Sequence, residues 1–524
     1  MGDDPGSATD LTGAAPAVRT LTAGDVGGVV EELAAYHARF APLFKRREQR
    51  DAAAVYLRGL LVAAVPRKNV EALALRLGGA GPDAERRVRA LQPFVGEGAW
   101  DDAALLAAHQ RMVDETLGED DGVFVVDGSE VPKKGRHSVG VARQWCGATG
   151  KTDNCQAGVF LGYASRRGYT LLDRRLYLPE RWFAADHRLL RERCRVPAGA
   201  AFRTKHQLAA ELVEDVVGAG RVRGRWAVCA EGYGDDPALL DRLDALGLRY
   251  PAEVPRDTMA WPLAEPDGAA RARPTTWVRP QRPSRKGPVP TTTRPHPASP
   301  PKVRLGAWAA ALPAGAGRRY RVLEGSKGPL VADFVAVRAV AVRAKLPGPE
   351  VWVLLRRKVS ASDDGPALKV YLSNAPADTP LAALVRVCGM RWPIESCFEE
   401  AKGELGLDHY ELRSWTGWHH HMTLVLLAHH FLVRLQRRMS PREGADQAAS
   451  AEPGRLPRPA RAVGRAGAPD RRRPQPPRGA PAAGRAPAPA RPGPARRARP
   501  ARLPPPPQGR RPPRPPHAHA PTPG

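Results

Sequence analysis

An apolar run that ends in a carboxylate constrains the fold of this chain most strongly. Residues 122–126 are Gly-Val-Phe-Val-Val, and Asp127 follows them directly. Such a run predicts a strand that is buried on both faces and presents Asp127 at the surface of a sheet. Further patterns follow in the order strand, strand, helix, strand, over residues 156–164, 169–177, 204–219 and 225–229. This order predicts an α/β fold.

A helical segment in the C-terminal half carries a carboxylate between two cations. Arg391, Glu395 and Lys402 are spaced so that their side chains share one helix face, and Glu399 joins them. The neighbouring face is apolar and consists of Ile394, Phe398, Ala401 and Leu405. Two interpretations of this spacing remain open: metal-dependent phosphodiester chemistry, or an amphipathic surface helix with i,i+4 ion pairs.

The run Arg391-x3-Glu395-x6-Lys402 resembles the R-E-K part of the Y-R-E-K signature of DDE-superfamily transposases from bacterial insertion sequences. Two more segments, residues 126–144 and 403–421, also resemble this family, and the similarity extends over about residues 25–438. The resemblance implies a ribonuclease H-like α/β catalytic core that is interrupted by a β-rich insertion. It also implies an enzyme that cuts transposon ends and transfers their 3′-hydroxyl ends to target DNA.

In this family three carboxylates hold two divalent cations, expected to be Mg²⁺ with Mn²⁺ as a substitute. The resemblance assigns the first acid to Asp127 and the third to Glu395, each as a catalytic residue and metal ligand. DNA contacts are assigned to Arg391, Lys402, Lys133, Lys134 and Arg143. The implied partners are double-stranded DNA, namely terminal inverted repeats and target DNA, and a second copy of the chain in a homodimer.

The second acid departs from the family pattern. Residues 229–235, Cys-Ala-Glu-Gly-Tyr-Gly-Asp, resemble the family's A-D-x-G-Y-G-D, but the aspartate position falls on Ala230. Glu231 is a possible substitute only if the strand has ended or bulged, because consecutive strand residues point to opposite faces. Asp235 and Asp236 are alternative carboxylates, which lie outside the metal site in the family pattern, and Glu130, three residues past Asp127, is consistent with a surface charge. Cys388 replaces the signature tyrosine, and the hypothesis is that this copy is catalytically weakened or inactive.

The predicted organisation has six parts. They are a disordered start (1–24), a small helical domain (25–117), the first part of the core (118–249), the β-rich insertion (250–385), the helical C-terminal part of the core (386–438) and a disordered Pro/Arg-rich tail (439–524). Basic clusters between the helices of 25–117 are typical of DNA binding, and they are equally consistent with solvation of helix ends.

The net charge of +27 indicates a polyanionic partner, most simply nucleic acid. Residues 441–524 contain 18 Arg, no Lys, 4 acidic residues and 24 Pro, so they carry +14 of this charge and cannot bury a core. This segment is either a basic arm that binds DNA nonspecifically or the product of a shifted reading frame. The abrupt loss of apolar patterning favours the frameshift.

Cysteine and histidine spacing predicts no zinc site. The six Cys contain no C-x2-C pair and fit a reducing cytosol. The histidines at 419–421 and 429–430 lack an H-E-x2-H pattern, so a structural or DNA-contact role is favoured. The acidic start without an apolar segment predicts no secretory signal. Together with this, the resemblance implies a bacterial cytoplasmic protein, associated with the nucleoid when bound to DNA.

Two other functions remain open beside a transposase. One is a noncatalytic DNA-binding remnant that still recognises transposon ends. The other is a general nuclease with the same fold, which the helical region and the β-rich insertion make less favoured.

Overall fold

The structure is a computed structural model, which describes residues 8–10, 27–63, 65, 67–78, 81–278, 293–313, 315–325, 328–359 and 367–439. All of these residues belong to one compact unit, Met1–Asp446. The predicted Pro/Arg-rich tail, with its two interpretations, lies outside the described residues.

The N-terminal part is helical, as predicted. Its α-helices are α1 (Val29–Ala38), α2 (Arg47–Leu61), α3 (Val70–Gly78), α4 (Pro82–Gly96) and α5 (Asp102–Leu117). Pro82 stands at the first position of α4, where a helix does not use the missing N–H. The Asp101 carboxylate caps α5 by accepting a hydrogen bond from the Ala104 backbone N at 3.0 Å.

The rest of the described chain contains eight further α-helices and most of the strands. These helices are α6 (Arg188–Arg193), α7 (Lys205–Gly218), α8 (Glu231–Gly234), α9 (Pro237–Ala245), α10 (Leu305–Ala310), α11 (Leu381–Gly389), α12 (Trp392–Gly403) and α13 (Trp415–Met439).

The strands are β1 (Thr9–Asp10), β2 (Val123–Pro132), β3 (Ala142–Cys146), β4 (Lys151–Ser165), β5 (Gly168–Tyr177), β6 (Trp226–Cys229), β7 (Pro251–Val254), β8 (Met259–Pro262), β9 (Thr276–Val278), β10 (Thr293–Pro295), β11 (Val303–Arg304), β12 (Arg318–Gly325), β13 (Gly328–Arg343), β14 (Leu346–Lys358) and β15 (Leu368–Ser373). Most join one large sheet with the order β1-β12-β13-β14-β15-β7-β6-β2-β4-β3, and β5 pairs with β4. Strand β6 runs parallel to both β2 and β7.

The periodicities of the sequence correctly predicted the central elements. The predicted strands and helix between residues 122 and 229 correspond to β2, β4, β5, α7 and β6. The range predicted as the β-rich insertion, 250–385, contains β12, β13 and β14 among its strands. These later strands do not form a separate sheet, because β15 pairs with β7 and thereby continues the sheet that contains β2 and β6.

Two residues of the segment that was expected to be disordered form a strand. Thr9 and Asp10 pair in parallel with Tyr320 and Arg321 of β12. The strand pairing satisfies backbone groups, and the Arg321 guanidinium lies 3.6 Å from the Asp10 carboxylate. These contacts hold Thr9 and Asp10 against the β-rich region.

The N-terminal helices and α13 share one apolar core. The Tyr36 hydroxyl donates to the Leu427 carbonyl oxygen at 2.9 Å, and the Tyr56 hydroxyl lies 2.9 Å from His421 Nδ1. Helix α13 is consequently buried along most of its length. The DNA-binding role of residues 25–117 stays a prediction. Within the described chain, no helix combines the length and apolar character that crossing a membrane requires.

Candidate active site

Asp127 lies in β2 beside the end of its parallel neighbour β6. Its Oδ1 accepts a hydrogen bond from the Gly128 backbone N at 2.7 Å. Burial raises the pKa of Asp127 to about 6, against the opposing effects of this hydrogen bond and of the positive charge of Arg391. Glu395 and Glu130 contribute further upward shifts of this pKa. Asp127 is therefore within electrostatic range of Arg391 and Glu395, which are more than 260 residues away in the sequence.

Helix α12 presents the face that the residue spacing predicts. It begins directly after Arg391, with Pro393 in its first turn, and buries the apolar face: Ile394, Cys397, Phe398 and Ala401. Arg391 Nη2 donates to Glu395 Oε1 at 2.7 Å, so the i,i+4 ion pair of the second interpretation is present. Because the same two side chains lie near Asp127, the ion pair and a role in chemistry are compatible.

Ala230 lies at the strand end next to Asp127. The last residues in register between the parallel strands β2 and β6 are Val126 and Cys229, so Asp127 and Ala230 come next on the two chains. Strand β6 ends at Cys229 and α8 begins at Glu231. The strand has therefore ended before Glu231, which is the condition under which Glu231 could substitute for the second acid. The Glu231 side chain lies outside the described part of the structure.

The other nearby carboxylates have different surroundings. Asp236 caps α9 by accepting from the Ala238 backbone N at 2.8 Å, and both Asp235 and Asp236 lie near His206. Glu130 accepts from Lys205 Nζ at 3.1 Å. Cys388, at the position of the family tyrosine, is buried in α11, and burial raises the pKa of its thiol.

Sequence reasoning missed Glu253, a buried carboxylate of β7. Lys369 Nζ donates to Glu253 Oε1 at 2.8 Å, and Arg391 Nε lies 3.9 Å from Glu253 Oε2. The short α8 packs closely against this strand. A Cβ atom at Gly234 would lie 2.2 Å from the Glu253 carbonyl oxygen. An acid within a four-residue apolar strand was the only signal in the sequence, and it does not reveal these partners.

A comparison with known protein families gave a match. The family described as DDE superfamily endonuclease matches residues 39–329, more than half of the chain. This chain belongs to the DDE superfamily of endonucleases. The matched range contains Asp127, Ala230 and Glu253 and ends before α12. A comparison with curated proteins gave no match.

In this DDE superfamily endonuclease, the predicted DNA-contact cations differ in their surroundings. Lys134 and Arg143 are exposed, and Arg143 lies on β3 at the end of the sheet. Lys133 instead donates to the Tyr410 carbonyl oxygen at 3.2 Å and lies 3.6 Å from the centre of the Tyr410 ring. Burial lowers the pKa of Lys133 to about 8. Lys402 is partly exposed on α12, with its ammonium 6.0 Å from the Phe398 ring centre.

The histidines of α13 make internal contacts. His420 stacks on Trp100 with ring centres 3.5 Å apart, and His421 Nε2 lies 3.1 Å from the Gly406 carbonyl oxygen. His429 Nε2 lies 3.0 Å from Glu400 Oε2. Burial lowers the pKa of His420 and of His421 to about 4, so both rings are neutral at neutral pH. These contacts favour the structural role among the predicted ones.

The donor set near Asp127 suits a hard divalent cation. Among the residues that the structure describes, no three His, Cys, Asp or Glu side chains form a metal-binding group. Asp127 and Glu395 nevertheless offer carboxylate oxygens, and Mg²⁺ binds through one or two carboxylates together with water and substrate phosphate oxygens. The described side chains therefore fit one Mg²⁺, and a third carboxylate would be needed to complete the family's set.

Proposed function

We propose that this protein is a transposase of an insertion sequence, which cuts transposon ends and transfers the 3′-hydroxyl ends to target DNA. The supporting observation is the convergence of Asp127 on β2 with the Arg391–Glu395 pair on α12. The parallel β2–β6–β7 arrangement with α7 and α12 is consistent with a ribonuclease H-like core. Double-stranded DNA is the substrate, and joining two ends would require a dimer.

Asp127 and Glu395 would hold the divalent cation, Mg²⁺ or Mn²⁺. When bound, such cations activate the attacking oxygen and stabilise the leaving oxygen of a phosphodiester. Arg391 would offer its remaining donors to a phosphate near the cut bond, because a guanidinium has five N–H groups and Glu395 uses only part of them. Lys402 would contact the DNA further along the same helix.

We further propose that this copy is impaired. Ala230 leaves the strand end beside Asp127 without a carboxylate, so the second cation would lose a ligand unless Glu231 supplies one. The same observation favours a second candidate function, a DNA-binding remnant that recognises transposon ends without cutting them.

A nicking assay tests both functions. The substrate is a duplex that contains the DNA flanking the coding sequence, incubated with Mg²⁺ and full-length protein. Restoring the acid in Ala230→Asp should raise nicking at least about tenfold, since each tenfold is only about 1.4 kcal/mol of transition-state stabilisation. Adding Asp127→Asn to that variant should remove the gain.

The outcomes separate the alternatives. Nicking that survives Asp127→Asn would contradict the proposed active site. Specific binding of the flanking duplex without nicking, even in Ala230→Asp, would favour the DNA-binding remnant. Wild-type nicking as fast as that of Ala230→Asp would show that the copy is not impaired.

A further inference from the structure

Glu253 stands between two cations, Lys369 and Arg391. Its Oε1 accepts from Lys369 at 2.8 Å, while its Oε2 lies 3.9 Å from Arg391 Nε. Arg391 in turn donates to Glu395 at 2.7 Å. A continuous chain of ionic contacts thus runs from Lys369 through Glu253 and Arg391 to Glu395.

The register of the sheet places Glu253 and Lys369 close together. Glu253 is in register with Tyr371 of β15, and Lys369 lies two residues earlier on the same strand, hence on the same face. Arg356 of β14 is in register with Lys369 and is also buried. One face of three adjacent strands therefore carries Lys369, Arg356 and Tyr371 together with the Glu253 carboxylate.

The exposure of the side chains decides which carboxylate is fixed. The Glu253 side chain is 7% exposed and that of Arg391 is 17% exposed, whereas Glu395 is 42% exposed. A largely buried guanidinium is costly unless a carboxylate remains beside it. If Glu395 turns toward a cation, Glu253 is the fixed carboxylate that remains in contact with Arg391.

We propose that Glu253 is a positioning residue, which retains Arg391 when Glu395 binds a divalent cation. It acts through Arg391 and is not itself a metal ligand, because Lys369 already occupies one of its oxygens. This role rests on the proposed function, since it requires a cation at Asp127 and Glu395. Without Glu253, Arg391 would hold Glu395 more strongly through their existing 2.7 Å contact and would compete with the cation.

The test is Mn²⁺ binding to the full-length protein, measured by titration calorimetry. The variants are Glu253→Gln, Arg391→Gln and the double variant, with Asp127→Asn and Glu395→Gln to identify the site. Glu253→Gln should weaken Mn²⁺ binding about tenfold, as expected for a residue that supports a metal ligand. In the Arg391→Gln background the same change should have no effect, because the competing guanidinium is gone.

A matched control exists in the same sheet. Glu350 of β14 also lies between two cations, Arg273 and Arg338, with Arg338 Nε 3.1 Å from its carboxylate. Glu350→Gln should leave Mn²⁺ binding unchanged. A second variant, Lys369→Gln, should tighten Mn²⁺ binding, since Glu253 would then interact with Arg391 alone; this variant tests the role if Glu253→Gln fails to fold.

Distinct results overturn the inference. Equal weakening by Glu253→Gln in both backgrounds would make Glu253 a direct ligand. Unchanged Mn²⁺ binding in Glu253→Gln, or weaker Mn²⁺ binding in Lys369→Gln, would mean that the Glu253 contacts only stabilise the sheet. If neither Asp127→Asn nor Glu395→Gln changes Mn²⁺ binding, the result would contradict the proposed function and also the positioning role of Glu253.

Discussion

Val126 and Cys229 are the last residues in register between the parallel strands β2 and β6. Strand β6 ends there and Ala230 follows it, whereas β2 continues through Asp127, which pairs with Phe160 of β4. Because Asp127 and Ala230 come next on the two chains after the last paired residues, an acid at position 230 would lie next to Asp127. The methyl group of Ala230 cannot bind a cation, so the proposed site lacks a carboxylate at this position.

Restoring the carboxylate should therefore add a metal site. We expect Ala230→Asp to bind one more Mn²⁺ than the unsubstituted protein in titration calorimetry, because the new carboxylate completes the three-acid set. Ala230→Asn, which has nearly the same size without the charge, is the matched control and should not add a site. Two Mn²⁺ ions already bound by the unsubstituted protein would mean that another acid serves, with Glu231 the first candidate to test.

The raised pKa of Asp127 has a consequence for stability. Because burial raises this pKa to about 6, the folded protein holds the proton more tightly than the unfolded chain, and stability falls as pH rises from about 4 through 6. Asp127→Asn removes the penalty of the buried charge. Its stabilising effect in urea unfolding should be about 1 kcal/mol larger at pH 8 than at pH 5.

Glu399→Gln is a control for this comparison, since it removes one negative charge from the exposed side of α12. It should change stability little at either pH. An Asp127→Asn variant that is equally stabilised at both pH values, or less stable than the original, would argue that Asp127 is not held in a poorly solvated site.

The neutral His421 should give the opposite pH dependence. Its pKa is lowered to about 4 by burial, so the stability that it contributes is present above about pH 6.5 and is lost as pH falls toward 4. His421→Leu leaves the Tyr56 hydroxyl and the Gly406 carbonyl oxygen without this partner and should cost about 2–3 kcal/mol at neutral pH.

At pH 5 that cost should be about 1–2 kcal/mol smaller. The original protein is itself less stable at this pH, because His421 binds a proton in the unfolded chain and stays neutral in the folded protein. Tyr56→Phe breaks the same hydrogen bond without removing a titrating group. It should cost about 1 kcal/mol at both pH values in urea unfolding. A pH-independent cost of His421→Leu would contradict the assignment of a buried neutral ring.

The sequence predicted those parts of the fold that local pattern determines. The run before Asp127 gave β2 because continuous apolar residues suit a strand covered on both sides, and the Arg391–Glu395 spacing gave the face of α12 because helical periodicity is local. Glu253 escaped prediction because its importance comes from Lys369 and Arg391, which approach it from distant segments. The pairing of β15 with β7, which joins the β-rich region to the core sheet, is equally non-local.

The buried tyrosine–histidine contacts illustrate the same limit. The sequence showed histidines on one helix without carboxylates at zinc spacing, which excluded a common metal pattern. It could not show that Tyr36, Tyr56 and Trp100 of the N-terminal region contact them, because such contacts join residues more than 300 positions apart.

Arg143 and Lys133 of the predicted DNA-contact set should affect DNA binding differently, because Arg143 is exposed and Lys133 is partly buried. Arg143 is exposed at the sheet edge, so Arg143→Ala should weaken duplex binding and reduce the slope of log affinity against log salt concentration by about one. Lys133 is engaged with Tyr410, so Lys133→Met should lower the unfolding midpoint in urea and leave the salt slope unchanged. Fluorescence anisotropy with a labelled duplex over a salt series measures both slopes. The opposite result, a reduced salt slope in Lys133→Met and an unchanged slope in Arg143→Ala, would reverse the assignment. It would place the DNA near Lys133 and Tyr410 and not along the β3 edge.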